Sequence, residues 1–272
     1  IIEFDSNDST VTVEPGVITG TLQDYAVEQG LYYPVDFGSS GSSHIGGNIA
    51  SNAGGIRVIR YGMTRNWVSG LKVVTGAGDL LSLNKGLVKN NTGYDLRHLF
   101  IGSEGTLGFI VEASMKLTER PLDATVVVLA IPKMSDCLSV LKIFRESLVL
   151  NAFEFFSDNA LEKVLSGMNI ERPIKASSAY YVLLEFEQKN ADTLGVAESA
   201  FSKCLSRGLA IDGIIASSLA QNIKLWQCRE RITEAITPRT PYKNDIAVRP
   251  GKVPGFLSAV DETITKYFPE FE

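Results

Sequence analysis

The chain has 272 residues, 44% of them hydrophobic and 24 of them glycine, which is enough for a sizeable core and one or two domains and argues against disorder. Lys and Arg number 26 against 31 Asp and Glu, a formal net charge of −5, with both signs mixed along the chain. No basic face attracts nucleic acid or anionic lipid, and no apolar run approaches the ~18 residues that span a bilayer.

In chain order, the first half reads as short strands joined by glycine-rich loops. Residues 19–28 form its one convincing helix, with Leu22, Ala26 and Val27 on one side. Segments 71–75 and 80–83 flank Gly-Ala-Gly-Asp, a hairpin whose turn residues tolerate positive φ. A strand over 109–117 is then interrupted at Arg120-Pro121. After that the pattern alternates. Strands are expected over 125–131, 153–156, 179–186 and 211–216. Helices are expected over 135–150, 157–168, 192–206, 218–236 and 255–267. A Ser-Asp cap opens the 157–168 helix, and Pro238 and Pro241 end the long one. Two strand-helix-strand passes predict a ferredoxin-like α+β sandwich.

Cys137, Cys204 and Cys228 are too few and too far apart for a disulfide framework, and with His44 and His98 they show no zinc-ligand spacing. Each thiol is expected to be a small buried apolar group, as in a reducing compartment. The N-terminal Ile-Ile-Glu-Phe-Asp shows no basic segment followed by an apolar one, so no targeting signal is visible, and the chain reads as soluble, without a transmembrane segment.

Glycine breaks the monotony: 18 of the 24 lie between Gly16 and Gly108. Residues 34–55 hold six glycines, five serines and two asparagines with almost no charge. Glycine permits close backbone approach and serine and asparagine offer hydrogen bonds, as a loop wrapped around a polar, anionic cofactor requires. No Gly-Lys-Ser or Gly-Lys-Thr follows, which excludes a P-loop, and no strand-turn-helix frame makes it a dinucleotide fingerprint. The embedded His44, Ile45 and Ile49 argue against a flexible linker. A second cluster, Asn90 to Leu96 and then 99–111, enters and leaves Gly-Ser-Glu-Gly-Thr-Leu-Gly through apolar residues, like a backbone bend under close contact.

Taken together, EPG (14–16), HIGGNIASNAGG (44–55), RYGMTRNWVSGLKVV (60–74) and NNTGYDLRHLFIGSEGTLGFIVEASMKLTERP (90–121) closely resemble the FAD-binding fold of the vanillyl-alcohol oxidase and p-cresol methylhydroxylase superfamily. The SSHIGGN form (42–48) is most similar to its D-2-hydroxyglutarate and D-lactate dehydrogenase branch. The resemblance implies an α+β chain in two parts. Residues 1–121 would be the second FAD subdomain and 122–272 a ferredoxin-like substrate, or cap, domain. It implies a noncovalent FAD lying against 44–52, with Pro34, Asp36, Gly38, Gly54 and Tyr61 nearby. Gly46 and Gly47 would allow the approach, and His44, Ile45, Asn48, Ser51 and Asn52 would contact the cofactor. Glu104, Gly105, Gly108 and Ile110 would close over it. Read alone, His44 fits a general base, a flavin contact or a surface residue, and the resemblance implies the contact. His98, beside Arg97, reads as a structural histidine.

In the second half, LWQCRERITEAI (225–236) and YKND (242–245), with AFEFFSDNALE (152–162) and YYVLLEFE (180–187), resemble the substrate domain of the same branch. Arg229 and Thr233 share a helix face, while Arg231 is turned away. From charge pattern alone, an exposed helix with Glu230 and Glu234 as local partners is the simpler reading. The resemblance instead makes Arg229, Thr233 and Lys243 ligands of the distal carboxylate of a small 2-hydroxy acid. Between Thr233 and Lys243 the chain is about one residue shorter than the family pattern, and Asn244 stands where Tyr is common.

The family's first FAD subdomain, with an Arg-Gly-Gly-Gly-Thr-Gly-like loop, would precede Ile1. Its metal ligands and general base would follow Glu272. The chain is therefore expected to be an internal fragment, inactive and weak in FAD binding by itself. The intact enzyme would use FAD and a divalent metal and oxidise D-2-hydroxyglutarate, or else D-lactate or glycolate. Electrons would pass to an electron-transfer flavoprotein, quinone or cytochrome. A homodimer in the bacterial cytoplasm or mitochondrial matrix, with no nucleic-acid partner, completes the expectation. A non-catalytic interaction protein that kept the fold is the rival from another class.

Overall fold

Gly-Ala-Gly-Asp does turn a hairpin, with Thr75 N–H donating to the Asp79 carbonyl at 2.9 Å. The structure is a computed structural model that describes residues 1–84, 86–168 and 170–270. Two units separate at Asp123 and Ala124.

The first unit runs β1 (Glu3–Asp5), β2 (Thr10–Val13), α1 (Thr19–Glu28), β3 (Leu31–Tyr32), α2 (Ile45–Ala50) and α3 (Val58–Tyr61). It continues with β4 (Val68–Thr75), β5 (Leu80–Leu83), α4 (Arg97–Phe100), β6 (Gly108–Lys116) and β7 (Thr118–Glu119). A five-stranded antiparallel sheet has the order β1-β2-β6-β4-β5, and β3 pairs with β7. Alternate residues face inward as the two-residue period of a strand requires: Val11 and Val13, Leu71 and Val73, Ala113 and Met115. Against them pack Leu22 and Ala26 of α1 and Ile45 and Ile49 of α2, all four fully buried. A register shift between Lys72 and Val73 carries the pairing from Glu112 to Ile110.

The second unit runs β8 (Ala124–Ile131), α5 (Cys137–Arg145), β9 (Leu150–Ser157), α6 (Asp158–Met168), β10 (Tyr180–Glu187), α7 (Thr193–Ser206), β11 (Asp212–Ile215), α8 (Leu219–Glu230), α9 (Ile232–Ile236) and α10 (Val253–Tyr267). Its antiparallel sheet has the order β11-β8-β10-β9, the ferredoxin-like arrangement, but with α6 inserted where that motif has a plain hairpin. Helices α5 and α7 cover one face through Val140, Phe144, Ala197 and Cys204.

Helix α8 covers the other face, making a third layer that the strand-helix passes do not announce. Asn222, Trp226 and Arg229, at i, i+4 and i+7, lie on one side of α8 and each makes a polar bond to the sheet. Asn222 accepts from Val126 N–H at 2.9 Å and donates to the Ala124 carbonyl at 2.7 Å. The Trp226 indole donates to Glu185 at 2.8 Å. Arg229 donates to Glu154.

Two helices differ from their expected lengths. The 135–150 helix is a 3-10 turn, Met134–Asp136, followed by α5, because Leu150 pairs with Phe186 and belongs to β9. The 218–236 helix breaks at Arg231, where ψ is 0, and α9 then packs against α6, with Ala235 facing Gly167. The Ser157 hydroxyl caps its helix as the sequence predicts, and the Ser218 hydroxyl caps α8.

All three thiols are buried, and burial pushes each up to about 11. They are expected to resist a disulfide exchange reagent at pH 8 until denaturant is added. Asn222→Ala leaves Val126 N–H without its acceptor and is expected to lower stability by about 1–3 kcal/mol in a urea titration.

Candidate functional site

The glycine-rich segment is more ordered than its composition suggests. His44 pairs with Ile18 in an isolated bridge and stands at the N-cap position of α2, without a capping bond from its side chain. Ile45 N–H donates to the Val17 carbonyl at 2.9 Å, and Gly46 N–H to Pro15 at 2.8 Å. Asn48 is buried and turns inward, its amide donating to Thr19 Oγ1 at 2.6 Å. That hydroxyl also bonds the Ser43 hydroxyl at 2.8 Å.

At its other end α2 meets the second glycine cluster. Gly102 N–H donates to the Ile49 carbonyl at 3.0 Å and Glu104 N–H to Ala50 at 2.9 Å. Asn52, Gly102, Glu104 and Gly105 all hold left-handed backbone, with φ of 49°, 88°, 51° and 76°. Arg65 binds both segments. Its N–H donates to Asn52 Oδ1 at 3.0 Å, while its guanidinium donates to the Ile101 carbonyl at 2.7 Å and the His98 carbonyl at 3.2 Å. It also lies 2.9 Å from His98 Nδ1, and His98 Nε2 is 3.4 Å from Asp95. His98 is thus part of the scaffold. The two glycine clusters, some fifty residues apart in sequence, form one continuous surface.

The glycines fall into two kinds. A Cβ on Gly46 would sit 2.5 Å from Pro15 Cβ, on Gly55 1.8 Å from the Asp36 carbonyl oxygen, and on Gly108 2.7 Å from Val73. Those three are required by the protein's own packing. Gly38, Gly41 and Gly47 have nothing within 4 Å and no left-handed backbone. Gly47 also lies inside a helix, where glycine costs about 1 kcal/mol relative to alanine. Nothing inside the unit accounts for it. A flat group lying against the helix does, so the residues present fit a bound flavin.

The remaining candidates have the following surroundings. Pro34, Ile45 and Ile110 are buried. Asp36 pairs with Arg57 at 2.8 Å and accepts from Ser40 at 3.1 Å. His44 and Ser51 are exposed, the Ser51 hydroxyl donating to the Gly47 carbonyl at 2.9 Å. Gly54 abuts Val58 and Met63, and Tyr61 packs edge-on against Trp67 at 6.3 Å.

In the second unit Arg229 is half-buried on α8, its Nε and Nη2 each 2.9 Å from Glu154 Oε2. Burial pushes the Glu154 carboxyl up, against the pull of Arg229. Thr233 is exposed on α9, beyond the break at Arg231, and Lys243 is exposed in the irregular stretch before α10. Arg231 takes Glu234, so the local-partner reading holds for Arg231 and not for Arg229. Glu154 and Arg65 were not singled out from sequence. The signal for Glu154 was a lone charge on the inward side of an apolar strand, between Ala152 and Phe156.

Among the described residues no three His, Cys, Asp or Glu side chains group to hold a metal ion, and no helix is long and apolar enough to cross a membrane.

Residues 1–84 match the FAD binding domain family and residues 120–271 the family of FAD linked oxidases, C-terminal domain. The chain is 53% identical over 272 residues to a D-2-hydroxyglutarate dehydrogenase of Stutzerimonas stutzeri, covering all of this chain and 59% of that protein. It is 49% identical over 271 residues to one from Xanthomonas citri pv. viticola, covering 57% of it. With the mitochondrial D-2-hydroxyglutarate dehydrogenase of Arabidopsis thaliana it shares 38% over 259 residues, 91% of this chain and 45% of that one. The chain thus spans less than two thirds of the length of these relatives. Two solved structures of alkyldihydroxyacetonephosphate synthase share its fold. One has a TM-score of 0.70 at 20% identity, covering 99% of this chain and 55% of that one. The other has 0.65 at 21%, covering 88% and 45%.

The neighbouring glycines of α2 are expected to respond oppositely to alanine. Gly46→Ala clashes with Pro15 and lowers stability by about 1–3 kcal/mol, whereas Gly47→Ala raises it by up to about 1 kcal/mol. Thermal or urea melts of the two variants check this.

Proposed function

The chain belongs to the FAD-linked oxidases, and from that premise we propose that it is the part of a D-2-hydroxyglutarate dehydrogenase that supplies one wall of a noncovalent FAD site and a carboxylate subsite for the substrate. Residues 1–121 are the second FAD subdomain and 122–272 the substrate domain. The observation that carries the reading is the joined surface of 44–52 and 102–108, with Gly47 bare above it. The whole-chain likeness to proteins named D-2-hydroxyglutarate dehydrogenase supports the choice of acid.

When bound, FAD supplies the acceptor for the hydride that leaves C2 of the hydroxy acid. This chain's residues do the binding and orienting. Gly47 and Gly38 would leave room for close approach, and His44, Ser51, Asn52 and Tyr61 would help to hold the cofactor. Asn48 and Arg65 keep that surface rigid through Thr19 and through the carbonyls of 98–101. Arg229 holds the substrate's distal carboxylate with its planar fork, Thr233 adds a hydroxyl and Lys243 a point charge. None of these residues is assigned the base that removes the hydroxyl proton. The divalent metal that the resemblance implies finds no ligand group among the described residues, so no step is routed through it.

The whole protein passes electrons to an electron-transfer flavoprotein, a quinone or a cytochrome. It is a homodimer in a bacterial cytoplasm or a mitochondrial matrix, without a nucleic-acid partner. A second reading, oxidation of D-lactate or glycolate, is favoured by one observation: Arg229 already has a carboxylate partner in Glu154.

The two substrates separate these readings. In the whole protein, kcat/KM for D-2-hydroxyglutarate is expected to exceed that for D-lactate by at least about tenfold, and equal values sink the diacid assignment. Gly47→Val is expected to lower FAD occupancy of the whole protein, read from the flavin absorbance of the purified variant, without lowering the melting temperature of the FAD-free form.

A further inference from the structure

An arginine whose charge is already matched is an odd choice for gripping an anion, and the contact geometry shows what it leaves over. A guanidinium carries five N–H donors arranged as two edges. Glu154 Oε2 takes the side edge of Arg229, at 2.9 Å from both Nε and Nη2. The end formed by Nη1 and Nη2 keeps three N–H groups. Glu154 is held in turn by its strand. It lies opposite Leu183 in β10, on the sheet face where Glu185 receives the Trp226 indole. The pair therefore fixes the rotation of the guanidinium about its own axis.

It also fixes the charge. Arg229 and Glu154 sum to zero, and a carboxylate added to that pair makes a net −1 in a half-buried place. A second cation restores neutrality, and among the proposed substrate ligands Lys243 is the one that supplies it.

We propose that Glu154 is a positioning and specificity residue of the carboxylate subsite. By occupying the side edge of Arg229 it presents the Nη1–Nη2 end to the distal carboxylate, and by cancelling the Arg229 charge it makes Lys243 indispensable for holding a diacid. The inference rests on the reading of Arg229 as a substrate ligand and deepens it. It accounts for two cations being used on one carboxylate.

The test is glutarate binding to the whole protein by titration calorimetry, in the parent and in Glu154→Gln, Glu154→Ala, Lys243→Gln, Arg229→Gln and the Glu154→Gln/Lys243→Gln double variant. The amide of Glu154→Gln keeps an acceptor for the side edge but removes the negative charge, so it tightens glutarate about fivefold, while Glu154→Ala weakens it. Lys243→Gln weakens binding about tenfold in the parent and less than about threefold in Glu154→Gln, a coupling that a purely structural Glu154 would not show. Equal weakening by Glu154→Gln and Glu154→Ala, or the same Lys243→Gln factor in both backgrounds, overturns the role of Glu154. If Glu154→Gln does not fold, Lys243→Gln alone decides, and a loss under about twofold overturns the proposal. Affinity unchanged in Arg229→Gln, or no binding by the parent, overturns the carboxylate subsite itself and is read separately from Glu154.

Discussion

The carbonyl groups at the end of a six-residue helix organise the first unit. A helix as short as α2 has no stability of its own, and its terminal carbonyls need partners from outside. Ile49 and Ala50 find theirs in the N–H groups of Gly102 and Glu104, so the second glycine cluster docks where the first one ends. Turning the chain sharply enough to do this puts Asn52 and Glu104, residues with side chains, into left-handed backbone. Asparagine tolerates that region and glutamate does so at a cost. The hydrogen bonds gathered by Arg65 offset it.

Much of the scaffold was legible because burial writes its period into the sequence. The strand expected over 109–117 is β6, with Ala113 and Met115 on its core side, and the helix over 19–28 has its expected ends. Prediction failed where an apolar residue suited two structures. Leu150 continues the helical stripe of α5, yet its pairing with Phe186 places it in a strand. The break at Arg231 left no mark either, because neither Pro nor Gly stands there and the cause is tertiary, the packing of α9 on α6. Within the site, sequence showed that glycines were concentrated but not why each was glycine. Gly46 and Gly47 are adjacent and chemically identical, and only the position of Pro15 tells them apart.

The second unit solves a different problem, how to lay an amphipathic helix on a sheet face that carries carboxylates. Glu185 is almost fully buried and Glu154 is half-buried, and each would be costly there without a donor. Trp226 and Arg229 supply those donors from one side of α8, and Asn222 adds a bond to the backbone of β8. Apolar packing alone would let α8 slide or rotate by small amounts. Directional bonds at three points along its length do not, which gives the helix one register on the sheet.

That single register divides the chain into parts that tolerate changes in length and parts that do not. One residue inserted between β11 and Asn222 within α8 would rotate the helix by about 100° and turn all three polar side chains off the sheet together. Past Arg231 no such constraint operates, and the stretch from 240 to 249 is almost wholly exposed. The segment between Thr233 and Lys243, which the resemblance implies is about one residue shorter than the family's pattern, lies on that side of the break. Insertions and deletions there can shift Lys243 relative to Arg229 without disturbing the core, so the spacing between the two cations is a variable that evolution can adjust independently of the fold.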